Sequence, residues 1–308
     1  MSFEEIYKNQ VALLLDVLPI INDFKCFALK GGTAINLFIQ DMPRLSVDID
    51  LTYLPIESRD IFLVNIQAEL IKMKQLIENQ GLVVKEVTTK NGALSKLQVF
   101  TKNAMIKIEP NFVLRGSVFA CEEKELCEKA QDQFLKFMRI NTLSIADLYG
   151  GKICAALDRY HPRDLFDLKL LLDNQGLTEQ IRQAFIVYLA SSSRPMHELL
   201  EPKTSEASQL EFENTFKNEF SGMTDTSISH DELSAIRSDL PSLLLTSFTD
   251  NERKFLLTFK SGSPDWSLLP IKGIETLPGI QWKLRNIYKM PDDKKKEQHN
   301  KLKQILEV

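Results

Sequence analysis

Two aspartates, Asp48 and Asp50, stand two residues apart in the alternating run SVDIDLT at residues 46 to 52. Read as a strand, the run puts Ser46, Asp48, Asp50 and Thr52 on one face and Val47, Ile49 and Leu51 on the other. Two ionised carboxylates side by side repel, and the usual remedies are a raised pKa or a bound divalent cation. Hard oxygen donors in this number suit Mg2+ or Mn2+, which are held by one or two carboxylates together with the phosphates of a substrate. The solvated face of an edge strand shows the same alternation, so the surrounding residues have to discriminate.

Upstream, Gly31-Gly32-Thr33 separates an apolar run at 26 to 30, read as a short buried strand, from residues 34 to 39, read as a short helix. A turn at a helix start offers free backbone N–H groups and the positive end of the helix dipole, which together bind anions. Glycine lets that backbone approach a phosphate, and the Thr33 hydroxyl adds a hydrogen bond. Glu109 is a candidate third carboxylate, since alternation in MIKIE puts Lys107 and Glu109 on one face and Ile106 and Ile108 on the other. If that strand neighbours residues 46 to 52, three carboxylates converge and can hold two metal ions. The alternative for Glu109 is a surface ion pair with Lys107.

Further on, DLYGGKICAALDRYHPRDLFDLKLLL places Lys152 and Arg159 seven apart on one helix face, with Ile153, Ala156 and Leu157 free to face a core. Pro162 suits the first turn of a second helix, where Asp164 and Asp167 lie three apart and Arg163 can pair with Asp167. By themselves these residues describe a salt-bridged helical hairpin.

The elements that must position these groups follow from periodicity and punctuation. Residues 3 to 18 read as a helix ended by Pro19, and residues 59 to 80 as an amphipathic helix closed by Gly81. Strands are expected at 82 to 88 and 94 to 101, joined through Asn91-Gly92, and at 104 to 109. Ser144 and Asp147 form an S-x-x-D cap that opens a helix running to about Arg159. Beyond it nearly every pattern is helical, and 203 to 231 reads as a polar connection or a loosely packed helix. The fold class is α+β: a mixed sheet with flanking helices over 1–140, then a helical domain over 141–308. A chain of 308 residues, 44% hydrophobic and 26% charged, supports two such cores.

A net charge of −4 gives no global attraction to nucleic acid, so any such contact needs a local patch. Residues 283 to 303 offer one, with eight lysines and arginines against three acids. That segment reads either as a grip on an RNA stem or as a solvated terminal helix, and Trp282 is expected in the core. The four cysteines show no CxxC pair and are expected as reduced thiols. Two glutamates near the start argue against a secretory leader, no apolar run is long enough to span a membrane, and a cytoplasmic location is expected.

The motifs GGTAINL, SVDIDL, KIE and DLYGGKICAALDRYHPRDLFDL, in this order, resemble those of the AbiEii/AbiGii-type toxin nucleotidyltransferases, which include the MenT toxins. The stretches ERKFLLTF, SPDWSLL and LPGIQWKLRN are similar to that family's C-terminal region. The resemblance implies a polymerase-beta-like nucleotidyltransferase core followed by a helical C-terminal domain. It further implies that Gly32 and Thr33 hold the triphosphate, Asp48 and Asp50 the metals, and Lys152 the phosphates. Asp164 would complete the second-half part of the site, Asp167 would orient neighbouring basic groups, and Ser46 matches a position modified in some relatives. The third carboxylate varies within the family, which leaves Glu109 open. Relatives add nucleotides to the 3′ end of tRNA, so an NTP substrate, an RNA acceptor and a cognate antitoxin are expected partners. Two alternatives stand beside this reading: the same site acting on a protein or small-molecule acceptor, and a nucleotide-binding module without turnover.

Overall fold

The structure, a computed structural model, describes residues 4–202 and 206–307. The chain divides into two compact units, one formed by residues 1–144 and 221–227, the other by 145–220 and 228–308. The return of 221–227 to the first unit could not be read from its polar composition. Leu45 N bonds to Met223 O, and the Thr224 hydroxyl to Pro43 O, tying this segment to the loop before the aspartate strand.

The first unit is built on one seven-stranded sheet of order β3-β4-β5-β2-β1-β7-β6, with β1 Phe27–Lys30, β2 Asp48–Tyr53, β3 Val83–Thr88, β4 Leu94–Phe100, β5 Met105–Asn111, β6 Glu122–Glu125 and β7 Arg139–Thr142. β2 lies centrally, antiparallel to β1 and parallel to β5. Its Ile49 and Leu51 are fully buried, as are Ile106 and Ile108 of β5. Helices α1 (Glu5–Asn22) and α3 (Arg59–Asn79) pack on the sheet and on each other, adding Leu14, Leu18, Phe62, Ile66 and Leu70 to the core. Burying each such side chain is worth about 1.5–3 kcal/mol.

Three stretches of the first unit depart from the sequence reading. α1 runs through Pro19 to Asn22, because Val17, Leu18 and Ile21 are buried in its last turns and offset the backbone hydrogen bond that proline removes. Residues 31 to 39 form one turn of α-helix, α2 (Gly31–Ala34), continued by a π-helical turn, Ile35–Ile39. β6, α4 (Glu128–Phe134) and β7 fall where no strand or helix was expected: β6 is EEKE, paired with β7 alone, and its charges mask any alternation.

In the second unit every regular element among the described residues is helical: α5 Ile145–Arg159, α6 Pro162–Asn174, α7 Glu179–Ser191, α8 Met196–Leu200, α9 Glu206–Thr215, α10 His230–Ser247, α11 Asp250–Ser261, α12 Pro278–Tyr288 and α13 Asp292–Leu306. α5 and α7 pack backbone to backbone at Gly150, where an added Cβ would lie 2.7 Å from Phe185 N and 2.8 Å from Ala184 Cβ. Capping boxes at Ser229/Glu232 and Thr249/Glu252 start α10 and α11.

The basic C-terminal region differs from expectation at two positions. Lys283 is buried, with Nζ donating to Ser192 O at 2.6 Å and Arg194 O at 2.8 Å beyond the end of α7. Trp282 stands 39% exposed, so it is a surface residue and not part of the core. The four cysteines carry free thiols, and among the described residues no helix is long and apolar enough to cross a membrane.

Candidate active site

In the first unit, β2 presents Asp48 and Asp50, both half-buried, on the face opposite Ile49 and Leu51. The register aligns Asp50 with Lys30 of β1 and with Glu109 of β5, and Asp48 with Lys107. Neighbouring residues in register share a face, so this side of the sheet alternates acids with the cations Lys30 and Lys107. β5 therefore lies beside β2, as convergence of a third carboxylate requires. The Glu109 carboxylate is ion-paired at 2.9 Å with Lys96 of β4 rather than with Lys107. Among the described residues no three His, Cys, Asp or Glu side chains form a metal-holding group.

Gly31 of the glycine turn sits directly against the Asp50 carboxylate. Gly31 has φ +72°, a left-handed conformation, and a Cβ there would lie 2.2 Å from Asp50 Oδ2. Any side chain at 31 would thus be strained by the backbone and would strike the acid. Gly32 is closed in by other groups, with its would-be Cβ 2.7 Å from Arg44 Nη2 and 2.9 Å from Ser46 Oγ. Arg44 is 2% exposed and donates to Leu45 O. A buried guanidinium beneath the turn is a feature that sequence reasoning passed over. The available signal was a cation between Pro43 and the strand.

Thr33 is fully buried and its hydroxyl points inward, lying 2.5 Å from Asp48 O and 3.0 Å from Ser46 Oγ. Its single proton goes to the carbonyl, leaving the Ser46 hydroxyl to donate to Thr33. The expected side-chain bond from Thr33 to a phosphate is therefore replaced by a tether from turn to strand. What this turn can offer a phosphate is backbone N–H. Ser46 itself precedes β2 and is buried, facing the turn instead of continuing the strand's polar face.

In the second unit, Lys152, Asp164 and Asp167 form a buried cluster: Lys152 Nζ lies 3.0 Å from Asp164 Oδ1 and 3.0 Å from Asp167 Oδ2. Arg159 completes it with a two-bond contact to Asp164 at 2.7 and 3.1 Å, although its own side chain is largely exposed. Burial by itself would raise the Asp164 pKa, but the Lys152 charge and the Arg159 hydrogen bonds outweigh it and hold the carboxyl well below the usual carboxylate range. Asp167 faces Lys152, and Arg163 approaches His161 and Glu219. The hairpin thus has a charged interior, which only the fold could reveal.

Backbone amides at a turn attract phosphate, while the Asp50 carboxylate beside Gly31 repels it. Asp48 and Asp50 are hard carboxylates of the kind that could hold Mg2+ or Mn2+, which would offset that repulsion.

Residues 12–268 match the family model described as "Nucleotidyl transferase AbiEii toxin, Type IV TA system". Among solved structures, MenT4, a nucleotidyltransferase toxin from Mycobacterium tuberculosis H37Rv, is similar in fold, with a TM-score of 0.58 and 15% identity over 90% of this chain and 93% of that one. No curated protein matches the sequence.

Proposed function

This chain belongs to the AbiEii family of nucleotidyltransferase toxins of type IV toxin-antitoxin systems, and we propose that it transfers a nucleoside monophosphate from an NTP to the 3′ hydroxyl of an RNA acceptor, the 3′ end of tRNA. In the reaction the acceptor oxygen bonds to the α-phosphorus, the bond from that phosphorus to the bridging oxygen breaks, pyrophosphate leaves with the bonding pair, and the hydroxyl proton passes to solvent water. Asp48 and Asp50 would hold the metal, and Glu109, paired with Lys96 in the structure, would be a further ligand. A divalent ion bound there would neutralise the triphosphate and make the attacking hydroxyl more acidic. The Gly31-Gly32 amides and the Arg44 charge orient the phosphates, and placement with electrostatics carries the catalysis. Lys152 keeps the phosphate role the resemblance implies, with Arg159 a further nucleotide contact, Asp164 completing that part of the site and Asp167 orienting the basic groups; the 3.0 Å approaches of Lys152 to both acids support the last two roles.

The observation that carries this reading is the seating of Gly31 on Asp50, which supports taking the glycine turn and the acid pair together as one site. The test is incubation with each labelled NTP in turn, total cellular RNA and Mg2+ or Mn2+. Label in RNA with release of pyrophosphate is the expected result; label confined to protein, or none with any NTP, would overturn it.

A further inference from the structure

The RNA acceptor in this reading needs a docking surface, and the sheet face beside Asp48 carries as many acids as cations. α12 has a different character. Its sequence, PGIQWKLRNIY, contains no acid. Ile280, Lys283, Leu284 and Ile287 are buried on one side. At 3.6 residues per turn, Trp282, Arg285 and Lys289, all exposed, fall on the opposite side in one stripe. The exposed amides of Gln281 and Asn286 flank it.

We infer that this stripe of α12 binds a single-stranded segment of RNA, with Trp282 stacking on an unpaired base and Arg285 and Lys289 on the adjoining phosphates. The structure both removes and adds candidates relative to the basic run of the sequence. Lys283 is spent on backbone carbonyls, and Lys301 is paired with Glu297 at 2.6 Å. Arg285, Lys289, Lys294 and Lys296 stay at the surface, in a protein whose net charge is −4. After Lys289 the chain enters α13, which opens with the exposed acids Asp292 and Asp293 before Lys294 and Lys296, so the cationic stripe ends with α12. Two exposed aromatics, Trp282 and Tyr288, set among cations and amides with no exposed aliphatic side chain of α12 beside them, fit bases with their phosphates better than an apolar protein partner. The inference deepens the proposed reaction by naming where its acceptor is held.

The test is binding of a labelled single-stranded RNA oligonucleotide to the full chain, without NTP or divalent ions, over a range of salt. Removing two phosphate contacts in Arg285→Glu/Lys289→Glu should weaken binding about ten-fold or more and flatten the salt slope by about 1.4. Trp282→Ala should cost about ten-fold with the slope unchanged, and Trp282→Phe should restore most of it. Should the charge-reversed protein unfold, Arg285→Gln/Lys289→Gln replaces it. Parental affinity and slope in these folded variants would overturn the inference, as would loss of a protein partner with RNA binding intact. Because RNA binding is read without NTP or metal ions, stripe-dependent binding in a protein that transfers no nucleotide would fail the catalytic reading alone, and transfer to RNA with stripe-independent binding would fail this inference alone.

Discussion

Two pairs of aspartates, one in each unit, show how the same side chain is put to different use by its setting. Asp48 and Asp50 lie at alternate positions of a strand, half-buried, on a face shared with Lys30 and Lys107 and capped by a glycine turn. Asp164 and Asp167 lie three apart on a helix, almost wholly buried, around the amine of Lys152. The first pair is only half-buried, whereas the charge of the second is matched inside the protein. Charge at a ligand-facing site is costly to activity when removed and cheap to the fold, whereas removing one member of a buried ion pair leaves its partners uncompensated.

That contrast can be broken by mutation. The largest effect expected is in Asp48→Asn, which should lower nucleotide transfer about a thousand-fold. Its urea unfolding midpoint should match the parent's; a large drop in that midpoint would make the pair structural and erase the distinction. Lys152→Met should instead destabilise the second unit by about 3–5 kcal/mol, because two buried carboxylates lose their cation. Denaturant titration measures it directly, and an unshifted curve would contradict the burial argument.

Gly31→Ala lies between these cases. It places a methyl against Asp50 in a left-handed conformation, and should cost about 1–3 kcal/mol in stability while disabling transfer. Acid sharpens the comparison further. The Asp164 pKa is depressed in the folded state, so its contribution is complete above the ordinary carboxylate value of 3.8 and is lost as pH falls through the folded value. Stability should therefore decline below about pH 4 in the parent and in Asp48→Asn alike, and Asp164→Asn should remove part of that decline. The smallest effect belongs to Glu109→Gln, which releases Lys96 and should change transfer by about ten-fold or less. Full loss of activity there would promote Glu109 to an essential ligand.

Much of the first unit could be read from local signals. Alternation in SVDIDLT and MIKIE placed β2 and β5, and Asn91-Gly92 marked the hairpin between β3 and β4, where Gly92 takes φ +78°. β6 was hidden because its four residues are all charged, and the true end of α1 because Pro19 conceals the buried Ile21 behind it. Arg44 escaped notice for a related reason: one arginine in a loop gives no period, and its meaning depends on Gly32 lying above it.

Periodicity and residue type determined, without any coordinates, that two carboxylates share a strand face after a glycine turn, and that a helical half follows. Those are properties of the chain's local geometry, set by backbone repeat lengths of two and 3.6 residues. Only the tertiary structure decided that Gly31 rests on Asp50, that the Thr33 hydroxyl turns to the Asp48 carbonyl, that Lys152 is enclosed by Asp164 and Asp167, and that Trp282 faces solvent. Each depends on which residues, distant in sequence, are brought within a few ångströms, and packing rather than propensity selects those neighbours.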